Sequence, residues 1–272
     1  MSFEDFSAQS DTKGLSEAII DVNNVAKNNN LHIWLNYGAL LGMVRENRLL
    51  PWNNDAHLCC EYEDNISEKF IQIVKDLDKK GYRTYYYPTV GAVNIKKRGV
   101  NVNINIVWIE NNYYVRPHEE AAKYKKANLV SHVLYWLGRS MSIYTPKISI
   151  RKFFDADLRE KIKILLIIKN KFIHKKLRKV IFEQLIRFSK NGSIAYQKTA
   201  IPVYFYKDFV SMDFYGDKIS VPKKSTELLE YIYGKTWKKP MSNWSFYDKK
   251  NKSISRVEYI DESWDYKKID FI

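Results

Sequence analysis

The chain has 272 residues, 45% of them hydrophobic and 15% aromatic, enough to bury a sizeable core and too rich for a disordered polypeptide. Its formal charge of +14 speaks to partners rather than fold, and much of it is local: Arg159 to Lys190 holds eleven Lys or Arg against Glu160 and Glu183. Cys59 and Cys60, the only cysteines, are adjacent, which excludes a disulfide framework and suits a reducing compartment.

Residues 1–14 are polar and are expected to be loose. Met1-Ser-Phe-Glu-Asp-Phe has neither the basic nor the apolar part of a secretion signal. Ser16 is placed to cap a helix reaching about Asn28, with Ala18, Ile19, Val22 and Val25-Ala26 as its apolar stripe. His32 to Tyr37 reads as a buried strand, followed by a turn at Gly38 and a short helix through Gly42 and Arg45. Pro51 keeps Leu49-Leu50 extended. Ala56 to Cys60 reads as a second strand and Ile66 to Lys79 as an amphipathic helix. Three strands follow at Tyr82–Tyr87, Val90–Lys96 and Val100–Ile109. In the third, Val100, Val102, Ile104 and Ile106 alternate with Asn101, Asn103 and Asn105. Asn111-Asn112 turns the chain into Tyr113–Val115. Glu119 to about Leu137 and residues 156–188 read as helical. Tyr215-Gly216-Asp217-Lys218 reads as a hairpin turn, and Ser225 to Tyr233 as a helix stopped by Gly234.

This order implies an α+β fold with a mixed β-sheet core and flanking helices. Its contiguous segments are a flexible N-terminus (1–15), the core (16–145), a basic helical segment (146–192), a C-terminal module (193–245) and a tail (246–272). The longest strongly apolar run in the basic segment, Ile164 to Ile168, is far short of the ~20 residues a spanning helix needs. The expected location is cytoplasmic, with a peripheral position at the inner face of the membrane available through the basic helices.

The chemistry concentrates in residues 33–60. Gly38 permits close backbone approach, and a helix starting near it aims free N–H groups at phosphate. Arg45, further along the same helix, is suited to a bidentate phosphate contact. Asp55 and His57 lie two apart on a strand and share a face, so they can hold one divalent metal against a nucleotide diphosphate. Trp52 weighs between a core residue and a base-stacking platform. No Ser/His/Asp or Cys/His arrangement stands at a recognisable spacing, and Gly38-Ala-Leu-Leu-Gly42 lacks the Gly-Lys pair of a Walker loop.

Tyr37-Gly-Ala-Leu-Leu-Gly-Met-Val-Arg45 followed by Leu50-Pro-Trp-Asn-Asn-Asp-Ala-His-Leu58 resembles the signature of the LicD and fukutin-related phosphotransferases. Further blocks at Val102–Trp108, Phe209–Pro222 and Leu228–Pro240 match the family in order and spacing, so the resemblance covers roughly residues 30–245. It implies a nucleotidyltransferase-like fold of the polymerase-β type. It also implies a metal-dependent phosphotransferase moving phosphocholine or a similar group from a CDP-linked donor. The acceptor would be a cell-surface glycan, a lipopolysaccharide or a teichoic-acid-like polymer, lipid-linked forms included. Carried onto this chain, Tyr37, Gly38, Ala39, Leu41, Gly42, Arg45 and Trp52 would line the donor site. Asp55 and His57 would be catalytic, and Asp55, His57, Asn103 and Asn105 would hold Mg²⁺ or Mn²⁺.

The departures from the signature fall on the chemistry. His57 replaces the second acid of the family's Asp-x-Asp pair, Asn53 and Asn54 replace the two acids that usually precede it, and Asn103 or Asn105 stands where a later acid is expected. Ala39 replaces a Thr. Mg²⁺ prefers several hard oxygen ligands, whereas an imidazole suits Mn²⁺ or Zn²⁺ better. Cys59 shares the strand face and adds a soft ligand to the inventory, though a buried structural thiol is the plainer reading. A catalytically inactive relative that binds a nucleotide or a partner is therefore the alternative function. A second alternative is an adaptor acting through residues 159–190 on an anionic membrane. Nucleic acid is the least favoured partner there, because no base-reading side chains stand out among the basic residues.

Overall fold

The computed structural model describes residues 12–53, 55–88, 91–121, 129–146, 158–170, 172–190, 194–240 and 256–260. In chain order the elements are α1 (Thr12–Asn28), β1 (Trp34–Asn36), α2 (Tyr37–Glu46), β2 (Asp55–Glu61), α3 (Ile66–Lys79), β3 (Arg83–Tyr87), β4 (Ala92–Lys97), β5 (Val100–Glu110), β6 (Tyr113–Ala121), α4 (Leu129–Ser142), α5 (Leu158–Asn170), α6 (Lys175–Lys190), β7 (Ile194–Pro202), β8 (Phe209–Phe214), β9 (Asp217–Pro222), α7 (Ser225–Tyr233) and β10 (Arg256–Ile260), with a 3-10 turn at Val203–Tyr206. The chain divides into two units, each discontinuous in sequence: residues 1–63, 94–116 and 199–257 form the first, and residues 64–93, 117–198 and 258–272 the second.

The first unit is built on a mixed sheet ordered β6-β5-β2-β1-β9-β8. β2 runs parallel to β5 and antiparallel to β1, β1 parallel to β9, and β8 and β9 form an antiparallel hairpin. The parallel β1–β9 pairing brings the C-terminal module into the same sheet as the Gly38–His57 region. β2 and β5 lie inside the sheet, and their alternate residues Leu58, Cys60, Val102, Ile104 and Ile106 are fully buried. α1 covers these strands with Leu15, Ile19 and Val22, and its Asn23 and Lys27 donate to the Lys218 carbonyl at 3.0 and 3.1 Å. The β8–β9 turn is tight because Tyr215 and Gly216 both take positive φ, as two-residue hairpin turns require. Asn111 and Asn112 do the same between β5 and β6.

Within the second unit, α3 lays Phe70, Ile73, Val74 and Leu77 inward, and Thr84 of β3 donates to the Val74 carbonyl at 3.1 Å. Phe70 meets Tyr86 edge-on, and the Tyr86 hydroxyl pairs with Ser67 at 3.0 Å. Tyr85, Tyr87, Ile143 and Ile167 form a second buried cluster.

Three local expectations are corrected. α1 begins at Thr12, so Ser16 lies inside it and its hydroxyl is turned back to the Lys13 carbonyl at 2.9 Å rather than capping the helix. Glu119 to Ala121 continue β6 instead of opening a helix, and the helix described in this region is Leu129–Ser142; residues 122–128 lie outside the described ones. The stretch 156–188 is two helices interrupted between Asn170 and Lys175. The expected loose N-terminus and the 246–272 tail fall largely outside the described residues.

Candidate functional site

Strand alternation assembles the site. Because β2 and β5 are parallel and in register, Asp55 stands beside Asn101, His57 beside Asn103 and Cys59 beside Asn105, so all six residues occupy one face of the sheet. Asn36 at the end of β1 is the register partner of His57 on the other side. The chain turns directly from Asn36 into α2, and Tyr37 pays for the abrupt change with a φ of 49°. Its amide donates to Asn36 Oδ1 at 2.9 Å, and its ring meets the His57 imidazole edge-on at 5.9 Å between centroids. The N-terminus of α2 therefore opens beside Asp55 and His57.

The pair itself is close. His57 Nε2 stands 3.4 Å from Asp55 Oδ2, with the side chains 31% and 46% exposed. The Asn105 amide nitrogen lies 3.4 Å from His57 Nδ1 and donates to the Leu58 carbonyl at 3.2 Å. An amide N–H can only donate, so Nδ1 accepts and a neutral ring carries its proton on Nε2, facing Asp55. That hydrogen bond holds the Asp55 carboxyl below the usual carboxylate range, against a partial burial that pushes it up. Asp55 is thus the ionised, half-exposed group of the site.

Asn103 and Asn105 are both on the site face, but they are engaged differently. The Asn94 amide donates to Asn101 Oδ1 at 2.8 Å and to Asn103 Oδ1 at 2.7 Å, while Asn105 is fully buried beneath His57. Among the described residues no three His, Cys, Asp or Glu side chains converge as metal ligands. One carboxylate and one imidazole, with the Asn103 oxygen already bonded, are a poor set for Mg²⁺, which holds carboxylate and phosphate oxygens in an octahedral shell. Cys59 adds nothing to it. The thiol is fully buried, accepts from the Asn36 amide at 3.3 Å, and burial pushes its pKa up, which keeps it protonated.

The remaining sequence-derived residues separate by burial. Tyr37, Ala39, Leu41 and Gly42 are buried, so their side chains pack rather than line an open surface. A Cβ at Gly42 would come within 2.6 Å of the Arg48 carbonyl oxygen, so this glycine lets the returning backbone approach α2. At Gly38 the neighbour would be the Asn53 amide nitrogen at 2.8 Å. Arg45 is largely enclosed: its Nε and Nη2 donate to Glu46 Oε1 at 3.2 and 2.7 Å, and its Nη1 to the Trp237 carbonyl at 3.4 Å. Trp52 is exposed on the turn that Asn53 N–H closes onto the Leu50 carbonyl at 3.0 Å, with Pro51 at its second position. Asn54 lies outside the described residues.

Sequence reasoning missed what lies beneath the pair. The Arg116 guanidinium favours the ionised form of the Tyr37 hydroxyl, yet burial outweighs it and pushes the pKa up to about 12. Tyr206 stands 3.2 Å from the Asn36 amide nitrogen, and its hydroxyl is likewise raised by burial. These residues come from three separate stretches of chain. The one visible signal was a lone Arg116 ending the apolar run Tyr113–Val115.

Three comparisons bear on these geometries. The family model described as LicD/FKTN/FKRP, nucleotidyltransferase domain, matches residues 30–135, which contain α2, β2 and β5. The blocks at 209–240 lie beyond that match. The uncharacterized protein RP689 of Rickettsia prowazekii is 29% identical over 137 residues, 48% of this chain and 49% of that protein. RT0683 of Rickettsia typhi is 33% identical over 76 residues, 27% of this chain and 24% of that protein. The matched region thus spans about half the length of the first and about a quarter of the second. A solution structure of the antibiotic-resistance factor ANT(2'')-Ia aligns at TM-score 0.30 and 11% identity, covering 66% of this chain and 95% of that one. A crystal structure of ANT(2'')-Ia with adenylyl-2''-tobramycin aligns at 0.28 and 12%, covering 62% and 95%. Likeness that distant adds nothing to the fold, which rests on the sheet itself.

Proposed function

We propose that this chain, whose residues 30–135 match the LicD/FKTN/FKRP nucleotidyltransferase-domain model, is a phosphotransferase that takes a phosphoryl-alcohol group, phosphocholine or a close analogue, from a CDP-linked donor to a hydroxyl of a glycan acceptor. The observation that carries the reading is the ionised Asp55, paired with His57 and half-exposed beside the N-terminus of α2. A helix N-terminus favours the donor's diphosphate by its unpaired N–H groups and dipole. The acceptor hydroxyl oxygen attacks the phosphorus that bears the alcohol, the bond from that phosphorus to CMP breaks, and CMP leaves with the electron pair. Asp55 is the group positioned to take the hydroxyl proton, as a carboxylate does in kinase-type transfer. His57 fixes the carboxylate's orientation, and Asn105 fixes the imidazole. The donor set does not suit a resident Mg²⁺, and no step is assigned to one.

A second reading has its own observation. The Asn103 oxygen is bonded to Asn94, and Asn105 is buried, so the positions where the family has further acids supply no charge. On that reading the chain binds the nucleotide without turnover. Calorimetry with CDP-choline in Mg²⁺, Mn²⁺ or chelator, followed by an assay for CMP release with a glycan acceptor, separates the two. Binding with CMP release that Asp55→Ala abolishes supports transfer, and binding without release under every metal condition supports the non-catalytic reading. No CDP-choline binding in any condition sinks this donor for both.

A further inference from the structure

Helices normally turn their apolar stripe inward, and α5 and α6 do so with Ile164, Ile167 and Phe182 buried. Their outer faces break the rule. Ile162 and Leu165 on α5 and Leu177 and Val180 on α6 are each more than half exposed, and Phe172 in the link between the helices is 86% exposed. On α6 the same outer face carries exposed Lys176 and Lys179. Arg178 turns inward instead and donates to the Met141 carbonyl at 3.4 Å. The segment that carries these apolar side chains is also the one with eleven basic residues against two acidic ones.

We infer that α5, α6 and Phe172 form a surface that docks on an anionic lipid bilayer, apart from the site proposed above. Charge complementarity names the occupant. A basic helix face with exposed large apolar residues lowers its apolar side chains to the acyl boundary while the lysines meet acidic headgroups. Phosphate contacts alone explain nucleic-acid binding and give no reason for outward Phe, Leu, Ile and Val. A protein partner would be expected to exclude lysine from the centre of the contact, whereas Lys176 and Lys179 interleave with Leu177 and Val180. No described helix is long and apolar enough to cross a membrane, so the helices would lie in the interface.

The test is flotation of the full chain with phosphatidylcholine vesicles, with and without phosphatidylglycerol, at low and high salt. Binding should require phosphatidylglycerol and weaken with salt. Lys176→Gln or Lys179→Gln should each lower it about fivefold, and Phe172→Ser by about tenfold. Phe172 is so exposed that its replacement should leave the circular dichroism spectrum unchanged. The proposal is overturned if the parent chain ignores acidic vesicles. It is equally overturned if Phe172→Ser leaves vesicle binding intact, if the chain prefers duplex DNA in a way indifferent to Phe172→Ser, or if that variant abolishes self-association in a chain that never floats.

Discussion

Replacing Gly42 by alanine tests whether this glycine serves packing or a ligand. At an ordinary interior helical position alanine is favoured over glycine by ~1 kcal/mol. Here the added Cβ would lie 2.6 Å from the Arg48 carbonyl oxygen, 3.0 Å from the Leu50 nitrogen and 3.1 Å from Leu50 Cγ. Two of these three atoms are backbone. The segment they belong to is also pinned, since the Arg48 N–H reaches the Gly42 carbonyl at 3.5 Å and the Leu49 N–H reaches the Tyr215 hydroxyl at 2.9 Å. Overpacking costs ~1–3 kcal/mol, and contact with backbone at 2.6 Å belongs in its upper part, ~2–3 kcal/mol, so after the helical gain the net loss should be ~1–2 kcal/mol. Gly38→Ala is the internal control. Its Cβ would meet only the Asn53 side chain, at 2.8 Å, and that amide can swing aside. The control should fall within about 0.5 kcal/mol of the parent. Urea unfolding followed by tryptophan fluorescence reads both, as shifts in midpoint at constant slope. A Gly42→Ala protein as stable as the parent, or a Gly38→Ala protein that is the weaker of the two, would refute the reasoning.

Three other outcomes are expected. The folded-state pKa of Asp55 is depressed, so its contribution to stability is present above the unfolded carboxylate pKa and is lost as pH falls through the folded value. Asp55→Asn should therefore flatten urea midpoints measured down an acid series, by well under 1 kcal/mol because the pair is half exposed; an unchanged acid slope would show that the pair is not coupled. Cys59 should resist iodoacetamide in the native chain near neutral pH and react only after denaturation, and prompt native labelling detected by mass spectrometry would contradict its burial and protonation. Arg45→Ala should cost ~1–3 kcal/mol by leaving Glu46 and the Trp237 carbonyl short of donors, with a lowered urea midpoint as readout. If the substitution instead leaves stability intact and weakens only nucleotide binding, Arg45 is a phosphate ligand after all.

Much of the architecture was legible in the chain because it rests on short-range patterns. Period-two alternation at Val100–Ile106 gave the buried and polar faces of β5, and helical spacing at Ile66–Leu77 gave α3 with its ends. Gly216 and Gly234 marked a hairpin and a helix stop because their positive φ is a local need. The blocks around Gly38–Gly42 and Asp55–His57 likewise pointed to the LicD family, whose model matches residues 30–135, since order and spacing of motifs are properties of sequence. The polar layer under the site was not legible. Arg116 and Tyr206 reach Tyr37 and Asn36 only because the sheet brings residues about 80 to 170 positions apart together, and no local pattern encodes such a meeting. The fate of each motif residue was equally a tertiary matter. Gly42 and Arg45 read as ligand-facing from their motif, yet a neighbouring backbone takes the space at Gly42, and Glu46 and the Trp237 carbonyl take the Arg45 guanidinium. The sequence alone determined that one Asp and one His stand on a shared strand face. Only the folded sheet decided that Asn105 lies under that histidine and Asn94 over Asn103, because amide side chains bond whatever the neighbouring strand presents.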